Sequence, residues 1–155
     1  MIVSNGAAAP DAKVFKAPRQ PVQLRELYGS PTVLLFFPMA FSSTCTEEMC
    51  TMSEDLARYE SLGARVYGIS VDSPYVNQRY AQEYNVKFPI LSDFNKEATA
   101  AFGVLSDLGD LRGVSQRSAF VIDGNGLVRY SWLSKNPGEL PPFTELQQAV
   151  QTLDA

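Results

Sequence analysis

From Thr32 to Phe37 the chain reads Thr-Val-Leu-Leu-Phe-Phe, a continuous β-branched, leucine and aromatic run bounded by Pro31 and Pro38. Such a run reads as a central strand buried on both faces, and strands of that kind belong to α/β folds. Upstream, residues 1–31 are irregular, with Pro10, Pro18 and Pro21 as breakers. Val14-Phe15 and Val22 can pair there as a small hairpin, and Leu24 to Tyr28 can form one helical turn closed by Gly29. Downstream, Ser42, Ser43 and Thr44 offer N-caps, Glu47 and Glu48 fall in the next turn, and Met49, Met52, Leu56 and Tyr59 recur at helical spacing before Gly63. A helix over about 44–62 follows.

The pattern continues as an alternating strand from Arg65 to Val71, then a helix to about Tyr84 with Ser73 as N-cap and Pro74 at its first position. A short strand from Phe88 to Leu91 and a short helix from Lys96 to Phe102, closed by Gly103, come next. Ser118 to Ile122 is another apolar strand. Asp123-Gly-Asn-Gly126 signals a hairpin to a partner strand, Leu127 to Trp132. Pro141-Pro142 opens a last helix with Phe143, Leu146, Ala149, Val150 and Leu153 on one face. This order predicts an α/β chain with a thioredoxin-like fold: a central mixed β-sheet flanked by helices, with an N-terminal extension, in one domain over residues 1–155. Asp107 to Asp110, with Gly109 and Gly113 nearby, reads as a mobile loop. Trp132, Tyr130, Phe88 and Tyr84 read as core or interface aromatics.

The chain contains no histidine, which removes Ser-His-Asp and Cys-His catalysis and every metal site that needs imidazole. Two cysteines, Cys45 and Cys50, are too few for a cysteine-only zinc site or an iron-sulfur cluster. A net charge of −4 and the lack of a Lys/Arg cluster argue against nucleic acid or an anionic membrane as partner. The amino terminus does not read as a signal peptide, and the longest apolar run falls short of the ~20 residues a spanning helix needs. A cytoplasmic protein is expected, where two cysteines five apart point to chemistry or to nothing, rather than to a structural disulfide framework.

Cys45 falls where the buried strand has ended and the first long helix begins, so free N–H groups and the positive end of the helix dipole point towards its sulfur. That position favours a thiolate: a thiol of pKa ~8.5 is about 3% ionised at pH 7, one lowered to ~6 about 90%. A small buried apolar residue fits the position equally well.

The surrounding residues bear on that choice. Pro38-Met-Ala-Phe-Ser42-Ser-Thr-Cys45 resembles the active-site loop of the peroxiredoxins, and Arg117-Ser-Ala-Phe-Val-Ile-Asp123 resembles their arginine strand. Asp72-Ser-Pro74 and Phe88-Pro-Ile-Leu-Ser-Asp93 are also similar to peroxiredoxin segments, so the resemblance runs from about residue 10 to 133. It implies a thiol peroxidase acting on hydrogen peroxide and organic hydroperoxides, with Cys45 as nucleophile. Arg117, Ser42 and the backbone N–H groups around Thr44 and Cys45 would bind and polarise the peroxide. Pro38 would shield the site, or else merely terminate the strand. Glu48 would orient the arginine, or else be a surface carboxylate complementing the helix dipole. Ser42 stands where threonine is more usual, which removes a methyl but keeps the hydroxyl. An arginine stays charged at all working pH, which is how a chain without histidine can activate a thiol.

The spacing Cys45-Thr-Glu-Glu-Met-Cys50 resembles the bacterioferritin-comigratory branch, in which the second cysteine resolves the sulfenic acid as a disulfide. Five residues of helix rise ~7.5 Å, whereas disulfides rarely exceed ~6.8 Å between Cα atoms. A resolving Cys50 therefore requires the first turns to unwind, and the alternative is a packed apolar Cys50 with an external thiol as resolver. The resemblance implies no metal or organic cofactor, a thioredoxin-like or small thiol electron donor, and a monomer or homodimer. Two competing readings are a thioredoxin-type disulfide oxidoreductase, which expects two residues between its cysteines rather than four, and a peroxide sensor without turnover.

Overall fold

The computed structural model describes residues 1–154. The run after Pro31 forms a strand that is buried on both faces, and the reason lies in where its alternate side chains go. Val33, Leu35 and Phe37 enter one apolar core, while Leu34 and Phe36 enter a second on the opposite side of the sheet. The same alternation splits Ala119 and Val121 from Phe120 and Ile122.

Nine strands and four α-helices are formed among the described residues, with β1 at Lys13–Ala17, β2 at Gln20–Gln23, β3 at Thr32–Phe36, β4 at Arg65–Ser70 and β5 at Ile90–Ser92. Strands β6 (Leu105–Leu108), β7 (Leu111–Ser115), β8 (Ser118–Ile122) and β9 (Val128–Leu133) follow. The helices are α1 (Ser43–Ser61), α2 (Pro74–Glu83), α3 (Glu97–Ala101) and α4 (Phe143–Gln151). The main sheet has the order β2-β1-β5-β4-β3-β8-β9. It is mixed, since β3 pairs in parallel with β4 and antiparallel with β8. Met49, Met52 and Tyr59 of α1, Tyr80 of α2 and Leu146 and Val150 of α4 fill the first core, and Ala98 of α3 with Phe102 belongs to the second. The expected α/β sheet with helices on both faces is therefore present. No helix among the described residues is long and apolar enough to cross a membrane.

Local expectations hold where a specific capping or turn residue drives them. The Ser73 hydroxyl accepts from Val76 N at 3.1 Å with Pro74 in the first turn of α2, and Asp123-Gly-Asn-Gly126 turns β8 into β9. The paired pieces around Val14 and Val22 form the antiparallel β1–β2 hairpin.

Three expectations are corrected. The segment from Asp107 to Asp110 is not a loop but the tip of the β6–β7 hairpin, with Leu108 opposite Leu111 across two turn residues. Gly109 there has φ 59°, which a glycine adopts without steric cost at the first position of a type II′ turn. Strand β4 does not alternate: Val66 to Ser70 are all buried, because β4 lies inside the sheet with a core on either side. Gly68 allows that packing, since a Cβ there would come within 3.2 Å of the Met49 sulfur and 3.3 Å of the Phe37 ring. The short strand β5 starts at Ile90 rather than at Phe88, because only Ile90, Leu91 and Ser92 pair with β4.

Candidate active site

In the antiparallel register of β3 with β8, Phe36 faces Ser118, so the residue just before β8 lies alongside the chain leaving β3. That residue is Arg117. The chain leaving β3 runs through Pro38 to the start of α1, where Cys45 is the third helical residue. The topology thus brings together two residues 72 positions apart, and Arg117 Nη2 donates to Cys45 Sγ at 3.3 Å.

The same guanidinium donates through Nη1 to Glu48 Oε1 at 2.7 Å and through Nη2 to the Pro137 carbonyl at 3.1 Å. Cys45 and Glu48 are fully buried and Arg117 is 2% exposed. Glu48 is therefore not a surface carboxylate complementing the helix dipole; it is the buried partner of Arg117. Burial pushes its carboxyl up to about 7, although the adjacent guanidinium pulls the other way. Burial likewise works against the charge on Arg117, but Glu48 and Cys45 outweigh it and hold the guanidinium above its ordinary value.

This placement has a measurable consequence for stability. Between the ordinary carboxyl value and about 7, the folded chain holds a proton on Glu48 that the unfolded chain has lost, so stability falls as pH rises through that window. The urea midpoint is expected to rise when pH is lowered from 7.5 to 5.5, and Glu48→Gln is expected to flatten that slope. A wild-type midpoint that falls over the same interval would contradict the assignment.

The loop ahead of α1 is tightly held. The Ala40 N–H donates to Asp72 Oδ2 at 2.7 Å, and the Ser70 hydroxyl donates to the same oxygen at 2.8 Å. Phe41 follows in the left-handed region at φ 71°, with its ring against Tyr80 at 4.9 Å and Tyr84 at 6.0 Å. Ser42 occupies the N-cap position, but its hydroxyl does not cap the helix; it donates to the Met39 carbonyl at 3.1 Å. As placed, it offers lone pairs rather than a proton to a ligand. Thr46 N–H makes the first helical bond, to the Ser42 carbonyl. The N–H groups of Ser43, Thr44 and Cys45 precede it and are directed out of the helix start.

A cavity of about 190 Å³ adjoins this cluster, and Pro38 and Arg117 line it together with Leu108, Val114, Gln116 and Pro137. Cys45 is not part of the lining, but Arg117 spans from that lining to its sulfur. Two contributors were not foreseen. The β6–β7 hairpin forms one wall of the cavity, and the segment after β9, which carries no motif, supplies the Pro137 carbonyl that fixes the guanidinium. The Gly109-Asp110 turn was a usable signal for the first; nothing in the sequence points to the second. Cys50 lies further along intact α1, half-buried, and both thiols are free.

The arrangement is a sulfur at a helix start, in contact with a permanent cation beside a small cavity, which suits nucleophilic attack by sulfur on a substrate that develops negative charge. The comparisons with known proteins agree in kind. Residues 5–131 match the AhpC/TSA family. The chain is 34% identical over 138 residues to alkyl hydroperoxide reductase E of Mycobacterium tuberculosis, covering 87% of this chain and 88% of that protein. It is 33% identical over 128 residues to chloroplastic peroxiredoxin Q of Sedum lineare, covering 82% and 67%. The crystal structure of a peroxiredoxin-like protein from Aquifex aeolicus superposes with a TM-score of 0.90 at 27% identity, over 99% of this chain and 89% of that one.

Proposed function

Because the chain belongs to the AhpC/TSA family and is a thioredoxin-fold thiol peroxidase of the peroxiredoxin Q type, we propose that Cys45 is its peroxidatic sulfur and Cys50 its resolving thiol. The enzyme reduces a hydroperoxide at the expense of a thiol reductant. The observation that carries the reading is the Arg117 guanidinium in direct contact with a fully buried sulfur at the third residue of α1.

The Cys45 thiolate attacks the hydroxyl oxygen of the peroxide in line with the O–O bond. An S–O bond forms, the O–O bond breaks, and its electron pair leaves on the distal oxygen. Arg117 and the N–H groups of Thr44 and Cys45 meet that charge, and their fixed positions require no reorganisation as it develops. Ser42 accepts the peroxide hydroxyl, and Pro38, buried in the cavity lining, keeps water from the donors. The product is a Cys45 sulfenic acid.

Cys50 then attacks that sulfur, forming a disulfide and releasing water. Five residues of intact helix hold the two Cα atoms too far apart for the bond, so the first turns of α1 must unwind. Unwinding breaks the Thr46 hydroxyl's bond to the Ser42 carbonyl and the Tyr80 hydroxyl's bond to Thr46 Oγ1. A thioredoxin-like dithiol in a reducing, cytoplasmic compartment returns the disulfide to two thiols.

Intact-mass measurement with one equivalent of hydroperoxide tests the resolving step. Wild type is expected to lose two hydrogens, and Cys50→Ser to gain one oxygen instead. In steady state with a dithiol donor, peroxide consumption by Cys50→Ser is expected to fall at least tenfold. Equal sulfenic acid accumulation in both proteins would remove Cys50 and leave an external thiol as resolver. One stoichiometric oxidation without turnover in wild type would make the protein a sensor.

A further inference from the structure

We propose that Cys45 and Glu48 share a single proton beneath Arg117, and that Glu48 delivers this proton to the oxygen leaving the peroxide. The inference rests on Cys45 being the attacking sulfur, and it adds a proton donor to that step.

Charge counting leads to it. Arg117 divides its guanidinium between two acids, Nη2 to Cys45 and Nη1 to Glu48. All three side chains are shut away from water. One cation offsets one anion, so ionising both acids leaves an uncompensated negative charge in a site of low dielectric, and coupled acids of this kind release their protons in separate steps. The start of α1 adds about half a unit of positive charge, which is too little to support a second anion.

The other titratable groups nearby do not change the count. Cys50 and Tyr80 are neutral when protonated, and the Tyr80 hydroxyl is raised by burial and engaged with Thr46. Lys135 and Asp107 line the cavity mouth as exposed side chains of opposite sign, and neither makes a salt bridge to the cluster among the described residues.

The hydrogen-bonding geometry points the same way. A carboxylate that only orients an arginine does so best through two parallel bonds. Here a single bond is made, and the second carboxyl oxygen, Glu48 Oε2, is buried without a partner among the described residues, as is Arg117 Nε. A free carboxyl oxygen with no donor aimed at it is the place for an acid proton. Burial already pushes the Glu48 carboxyl upward into the range useful for proton transfer near neutrality.

The step balances as follows. Before reaction Cys45 is the thiolate and Glu48 the neutral acid. Sulfur bonds to the hydroxyl oxygen of ROOH, the O–O bond breaks, and the Glu48 proton moves to the departing RO⁻, giving ROH. Cys45 is then the sulfenic acid, oxidised by two electrons, and Glu48 is the carboxylate opposite Arg117. When a reductant restores the Cys45 thiol, its proton returns to Glu48.

The test compares leaving groups. A departing alkoxide needs a proton, whereas the carboxylate departing from a peracid does not. Second-order rate constants for tert-butyl hydroperoxide and peracetic acid are measured on wild type and Glu48→Gln. The alkyl-to-peracid ratio is expected to fall about 10²-fold in the variant, the scale of a lost general acid; equal losses for the two oxidants overturn the inference.

Should Glu48→Gln fail to fold, the infrared difference spectrum of Cys50→Ser, which stops at the sulfenic acid with α1 intact, before and after one equivalent of hydroperoxide decides. A protonated-carboxyl C=O band at neutral pH that disappears on oxidation supports the shared proton, and its absence overturns it. Asp93, the other buried carboxyl raised by burial, bonds to Thr99 and Ala98 away from the cluster, so it cancels in the difference. The Cys45 reading is tested separately by Cys45→Ser: a dead Cys45→Ser with equal losses in Glu48→Gln sinks the shared proton alone.

Discussion

Replacing Arg117 with methionine is expected to lower the second-order rate constant for hydroperoxide by at least ~10³-fold. Loss of one fixed donor to a developing oxyanion costs about 10² to 10³, and Arg117 is also the cation in contact with the Cys45 sulfur, the proposed nucleophile. Stability is expected to suffer as well. Removing the cation leaves the one negative charge that Cys45 and Glu48 hold between them buried without a partner, which costs about 3–5 kcal/mol while it stays charged. Taking up a second proton relieves that cost, so the stability deficit should shrink as pH is lowered from 8 to 5, while the rate deficit persists. Arg117→Lys restores a charge but cannot hold Cys45, Glu48 and the Pro137 carbonyl at once, and partial recovery is expected. Stopped-flow rates and urea titrations across pH measure both effects; a rate within tenfold of wild type for Arg117→Met would contradict the proposed role.

How much of this could be read from the sequence depends on the range of the interactions. The strand after Pro31, the Ser73-Pro74 helix start and the Asp123 hairpin are encoded by neighbouring residues, and they formed as expected. The β6–β7 hairpin was misread because Asp107, Gly109 and Asp110 look like a polar loop. Leucines on both sides of a two-residue Gly-Asp turn carried the correct signal. The strand β4 misled in a different way: its exposure depends on its place in the sheet, which no local pattern states.

The site divides along the same line. Cys45 and Arg117 could be picked out by their motifs, but the two possible situations of Glu48 could not be separated, because its partner is 69 positions away. Only the antiparallel register that sets Phe36 against Ser118 decides between them. The Pro137 carbonyl could not be found at all, since a backbone acceptor leaves no mark on residue identity.

Cys45→Ser is expected to abolish turnover, with a loss on the order of 10⁶-fold, the scale for deleting an enzyme's nucleophile. The fold should survive. Serine is slightly smaller, its hydroxyl can accept the Arg117 hydrogen bond, and the Glu48–Arg117 pair is untouched. Unchanged thermal unfolding together with absent peroxide consumption is the expected signature. Residual activity above a hundredth of wild type would mean that another group reduces the peroxide, and Cys50 is the other thiol in the chain.

Peptide mapping of Cys50→Ser after a single equivalent of hydroperoxide tests the central claim most directly, since it asks which sulfur receives the oxygen. One added oxygen is expected on the Cys45 sulfur itself, located by fragmentation because Met39, Met49 and Met52 lie in the same Lys- and Arg-free stretch, with alcohol formed in equal amount. Oxygen found on a methionine instead, or peroxide left unconsumed, would contradict it.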